Sequence, residues 1–139
     1  DGYEFDLGKA DLLRDGSDVT LIASGVCVAN ALQAAETLAQ EGVSARVLNI
    51  HTIKPIDADA VIKAASETGA LVTAENHNVI GGLGSAVAEV LAEQRPTPLE
   101  RVGVKDHFGQ VGKAPYLMGV FGITAADIAK AARKAIARK

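Results

Sequence analysis

The stretch Val19-Thr20-Leu21-Ile22-Ala23-Ser24-Gly25 decides the fold. Its first five residues are a β-branched, nearly continuous apolar run, the pattern of a strand buried on both faces, and it ends abruptly at Ser-Gly. Beyond it the apolar positions Val28, Leu32, Ala35 and Leu38 or Ala39 recur at steps of three and four. That spacing predicts a helix over 26–40, stopped by Gly42. The same unit then repeats. Residues 45–50 read as a strand, Lys54-Pro55 breaks it, and Asp57 is placed to cap a helix through Val61, Ile62 and Ala65 that ends at Gly69. Residues 70–74 form a third strand, glycines at 81, 82 and 84 punctuate the loop after it, and a third helix over 85–93 precedes Pro96-Thr97-Pro98.

Outward from this core, residues 99–104 read as a last strand, placed near a sheet edge by Glu100 and Arg101. A glycine-bearing loop over 108–112 follows. Thr124 and Asp127 match a capping box that opens a C-terminal helix with Ile128, Ala132 and Ile136 on its apolar face. Residues 7–13 are expected to add a short antiparallel strand along an edge. Strands alternating with helices imply a three-layer α/β/α fold, because each right-handed crossover lays a helix over a mostly parallel sheet. Ligands and partners of such sheets meet the loops at the carboxyl ends of the strands. Here that edge receives 24–27, 51–54, 75–78 and 105–108, and with them His51, His77 and His107.

With 139 residues, 48% hydrophobic and 22% charged, the chain is sized for one domain, 1–139, with an ordinary globular balance. Fourteen Lys and Arg against 17 Asp and Glu leave a formal charge of −3, so no basic field exists to hold nucleic acid. No apolar run approaches the roughly 20 residues needed to cross a bilayer, and no charged-then-apolar leader is visible. The lone Cys27 and three histidines give no zinc-type spacing. These features predict a soluble protein of a reducing cytoplasm, without membrane or nucleic-acid partners. The start at Asp1 instead of a methionine leads us to expect a piece of a longer polypeptide.

The most concentrated chemistry lies in residues 74–85, AENHNVIGGLGS. Gly82-Leu83-Gly84 followed by Val87 approaches the dinucleotide fingerprint G-x-G-x-x-G but lacks its third glycine and sits in the third βα unit, where the first is expected. Glycines there also permit sharp turning and close contact with a neighbouring protein surface, the reading we prefer. Glu75, His77, Asp106 and His107 are acid and base types, yet nothing completes a catalytic set. Ser24 and Ser85 lack the nucleophile-elbow context, and Ser24 reads as a helix cap. Cys27 near a helix start would be a thiolate if the helix terminus lowered its pKa, and otherwise a small buried residue, the reading we favour.

These motifs, in order, resemble the transketolase C-terminal domain. The resemblance runs through Gly8-Lys9-Ala10, Leu13-Arg14-Asp15-Gly16, residues 18–25, Glu41-Gly42, Thr52-Ile53-Lys54-Pro55-Ile56-Asp57, then Glu75 with His77-Asn78 and residues 81–87. Residues 107–112 and Phe121-Gly122-Ile123-Thr124 look most like the C-terminal part of bacterial split transketolases, departing by Val111 where a Ser is usual. What the resemblance implies is a five-stranded mixed sheet with an antiparallel first strand. It further implies a parent enzyme using thiamine diphosphate and a divalent metal (magnesium or calcium) to move two-carbon ketol units between sugar phosphates. In that family other domains hold the cofactor, so this chain is expected to bind none, to have no catalytic residue, and to pack against the remaining domains of a homodimer. Glu75, His77, Asn78, Gly81, Gly82 and Gly84 are the expected interface residues. Alternatives are the equivalent domain of a deoxyxylulose-phosphate synthase or of a 2-oxo acid dehydrogenase beta chain, or a free-standing small-molecule binding module.

Overall fold

A computed structural model describes residues 3–139. Five strands form one sheet in the order β1-β3-β2-β4-β5. They are β1 (Asp11–Arg14), β2 (Val19–Ala23), β3 (Ala45–Asn49), β4 (Leu71–Asn78) and β5 (Leu99–Val104). β2 pairs in parallel with β3 and β4, and β4 with β5, while β1 runs antiparallel to β3. Helices α1 (Cys27–Gln40), α2 (Ala58–Thr68), α3 (Leu83–Gln94), α4 (Ala114–Phe121) and α5 (Ala125–Ile136) complete the chain. The α/β/α class and the antiparallel edge strand are as expected from sequence.

Every residue of β2 is buried because helices lie on both faces of the sheet. Val19, Leu21 and Ala23 join the core built with α1 and α5, whereas Ile22 joins the core of α2 and α3. Thr20 faces the second side, where its hydroxyl meets Thr68 Oγ1 at 2.9 Å, so a polar pair sits inside that layer without an orphan. Both cores close within the chain.

The caps follow the local chemistry. Asp57 accepts the Ala60 N–H at 3.1 Å, Gly69 ends α2 in the left-handed region, and Thr124 and Asp127 form the full reciprocal capping box of α5.

Several boundaries differ from the sequence reading. The first strand starts at Asp11, not at 7, since Gly8 at φ +82° turns the chain just before it. β4 runs on to Asn78, four residues past Ala74, with its register on β5 shifted between Ala74 and Asn78. α3 begins at Leu83, so Gly84 lies inside the helix. Ser24 does not cap α1: its backbone carbonyl accepts the Cys27 N–H at 3.2 Å in a turn through Gly25, and the N-cap is Val26, without a side-chain bond. The helix α4 is additional to the expected elements, although Pro115 near its start and Gly122 just past its end frame it.

Candidate functional site

At the carboxyl edge of the sheet, β4 hands the chain to α3 through Val79 to Gly82, and the loop is organised by Glu75. This residue is 2% exposed. Its Oε2 accepts the Leu83 N–H at 2.8 Å and its Oε1 the Gly84 N–H at 2.9 Å, so a strand carboxylate supplies the cap that Gly82, the N-cap residue, lacks. Acceptors of this kind also match the positive end of the helix dipole. The glycines follow from that placement. A Cβ on Gly82 would lie 1.9 Å from Glu75 Oε2, one on Gly84 would meet Arg101 Cδ and Thr73 Oγ1 at 2.8 Å, and Gly81 sits at φ +80°.

The rest of the loop is wired to itself. Asn78 Oδ1 accepts the Ile80 N–H, Ser85 Oγ accepts the Gly81 N–H and donates to Val79 O, and Arg101 donates to the same carbonyl, each at 2.9 Å. The Asn78 amide reaches Asp106 Oδ1 at 3.4 Å, tying the loop to the segment that leaves β5.

Of the six expected interface residues, Glu75, Gly82 and Gly84 therefore converge on one helix start. His77 and Asn78 lie at the end of β4 and Gly81 in the turn. His77 is exposed, with Nδ1 3.0 Å from Asn78 O. The three histidines share an edge but not a site. His51 Nδ1 is 2.8 Å from Thr52 Oγ1, its Nε2 is 3.9 Å from Asp11 Oδ2, and its ring lies 4.4 Å from that of Phe5. Asp11 also accepts from the Tyr3 hydroxyl and the Asn49 amide. The signal for this cluster was Asp11, which the sequence reading absorbed into a strand. Cys27 is fully buried; burial pushes its thiol pKa up and the Glu75 charge adds to this, so the thiolate reading does not hold.

These groups do not suit a diphosphate or a metal. The α3 amides that would cradle a phosphate are occupied by Glu75, which also closes the dinucleotide reading of the glycines. Among the described residues no three His, Cys, Asp or Glu gather as metal ligands, and no helix is long and apolar enough to cross a membrane.

Comparison with known proteins agrees with the topology. The family profile described as "Transketolase, C-terminal domain" matches residues 8–128. The chain is 59% identical over 136 residues to the 6-deoxy-6-sulfo-D-fructose transketolase subunit of Clostridium sp. (strain MSTE9), covering 98% of this chain and 42% of that one. It is 41% identical over 138 residues to 1-deoxy-D-xylulose-5-phosphate synthase 1 of Geobacter sulfurreducens, covering 98% of this chain and 22% of the synthase. A solved structure titled "Split gene transketolase, inactive beta4 tetramer" superposes with a TM-score of 0.94 at 47% identity, covering 97% of this chain and 44% of that one. The chain thus spans less than half the length of these relatives. A mixed sheet in the order β1-β3-β2-β4-β5, the superposition on a split transketolase and a match over residues 8–128 lead to one conclusion: the chain belongs to the transketolase C-terminal domain family.

Proposed function

We propose that this chain is the non-catalytic C-terminal domain of a thiamine-diphosphate-dependent transketolase, a cytoplasmic homodimer that transfers two-carbon ketol units between sugar phosphates. Its role is to seat the remaining domains or subunit through the loop of His77, Asn78 and Gly81, stiffened from beneath by Glu75, Gly82 and Gly84. The observation that carries this reading is the occupied α3 terminus. At the start of α3 the backbone amides behind the glycines are held by the chain's own carboxylate, which leaves the glycine-bearing rim shaped for contact rather than for chemistry. The cofactor and its magnesium or calcium ion then belong to the rest of the parent enzyme.

Two measurements test this. Titration calorimetry of the 139-residue chain with thiamine diphosphate and magnesium should show no binding, while the parent enzyme binds both. Large-to-small substitutions at His77, Asn78 and Ile80 in the parent should weaken dimerisation and cofactor retention together. A raised KM for a sugar phosphate with intact assembly would make the loop a substrate element and sink the scaffold role.

The deoxyxylulose-phosphate synthase relative favours a second parent with the same domain role. Formation of 1-deoxy-D-xylulose 5-phosphate by the parent enzyme, in place of ketol transfer between sugar phosphates, would select it.

A further inference from the structure

Between β5 and α5 the chain leaves the body of the domain. Phe108 and Val111 are fully exposed, Tyr116 and Val120 about half so, and no residue of α4 is fully buried although its sequence, APYLMGVF, is mostly apolar. Roots hold this segment at both ends. Val79 N–H donates to Val104 O at 2.9 Å before it, and after it the Asn30 amide donates to Ile123 O at 2.9 Å and approaches Met118 Sδ at 3.8 Å. The segment is therefore presented in a defined place: Met118 packs on the core of α1 and α5 and Leu117 and Phe121 are half-buried, while Phe108, Val111, Tyr116 and Val120 stay exposed. Burying a side chain of this kind contributes about 1.5–3 kcal/mol, and contiguous exposed apolar surface of this sort marks an interaction site.

We infer that residues 105–121 are a docking arm whose Phe108, Val111, Tyr116 and Val120 enter an apolar pocket on the polypeptide that the longer relatives carry in addition to this domain. The inference rests on the reading of this chain as part of a larger transketolase-like enzyme. Met118 seats one end of the arm on its own domain, but Phe108 and Val111 have no apolar seat there. The groove beside it, between β5 and α5, carries Lys105, Lys130 and the Glu100–Lys134 ion pair beside Val102, Val120 and Phe121, and folding Phe108 into it would take these charges out of water. A second copy offers the same charged groove. Polypeptide beyond this region is available as the partner, because the chain accounts for only 42% and 44% of the two split-transketolase relatives.

Lys105 and Lys113 place two exposed trypsin sites within the arm. Cleavage after them is expected to be at least about tenfold slower in the parent enzyme than in the 139-residue chain, where Phe108 and Val111 stay exposed. The double variant Phe108→Glu with Val111→Glu should restore fast cutting in the parent and weaken its assembly in sedimentation. In the 139-residue chain it should leave the melting temperature unchanged. Equal cutting rates in chain and parent would overturn the arm. So would concentration-dependent dimerisation of the chain with protection of the arm, which would make a second copy the occupant. Failure of the underlying reading is seen separately, as a parent that protects the arm yet has no thiamine-diphosphate-dependent ketol transfer.

Discussion

Gly82 has no side chain because Glu75 stands where one would be: a Cβ at Gly82 would fall 1.9 Å from the Glu75 Oε2 that accepts the Leu83 N–H. The φ of Gly82 is −96°, open to any residue, so the constraint is one of space and not of backbone conformation. Gly82→Ala is expected to displace the carboxylate and cost about 2–4 kcal/mol, combining overpacking with the loss of charge-assisted bonds. Glu75→Ala should cost a similar amount by leaving the Leu83 and Gly84 N–H groups without acceptors. Because both substitutions spoil one arrangement, the double variant should cost clearly less than their sum in denaturant unfolding. Simple additivity would show that the two residues act independently.

Much of the sheet is legible in the sequence because it rests on local signals. Val19 to Ala23 is an unbroken apolar strand, Asp57 and Thr124 sit at cap positions, and Gly42 and Gly69 mark helix ends. What escapes depends on contacts across the chain. Glu75 reads as an acid of an edge loop, and only the return of α3 beneath β4 shows that it serves backbone amides eight and nine residues on. The helix α4 escapes for the opposite reason. Met118 packs on the core with Leu117 and Phe121 half-buried beside it, but Tyr116 and Val120 are apolar and exposed, so hydrophobic spacing alone gives no single orientation for it.

At α5 the Thr124 hydroxyl accepts the Asp127 N–H at 3.3 Å while Asp127 Oδ2 accepts the Thr124 N–H at 3.0 Å. Thr124→Ala should lower stability by about 1 kcal/mol, and Thr124→Ser by much less, since serine keeps the acceptor. Both are read from urea midpoints at constant slope. An alanine variant as stable as the parent sequence would mean that packing of Ile128 and Ala132 alone fixes the helix start.

Cys27 offers a chemical probe of the first core. Its side chain is fully buried and, with burial and then the Glu75 charge raising the thiol pKa, it should remain a neutral thiol at mildly alkaline pH. Alkylation by iodoacetamide in the folded chain is expected to proceed only as fast as the domain opens, and to become rapid in guanidinium. Native labelling at the rate of a free cysteine would contradict the packing of α1 against β2.

Glu100 links β5 to the last turn of α5 and gives the domain an acid-sensitive seam. Burial pushes its pKa up, but Lys134 at 2.8 Å and Arg138, which also holds Leu99 O, outweigh this and keep it below its usual value near 4.5. A carboxylate with a folded pKa below its unfolded one contributes stability that is complete above the unfolded value and is lost as pH falls through the folded one. Both cations are about half or more exposed, at 69% and 49%, so solvent screening keeps the contribution modest. Glu100→Gln is therefore expected to lower stability by about 1 kcal/mol at neutral pH, with the difference shrinking toward zero as the buffer is taken through the acid range. Added salt should shrink it as well. A difference between the two proteins that stays constant from neutral to strongly acid buffer would show that Glu100 acts by shape and not by charge.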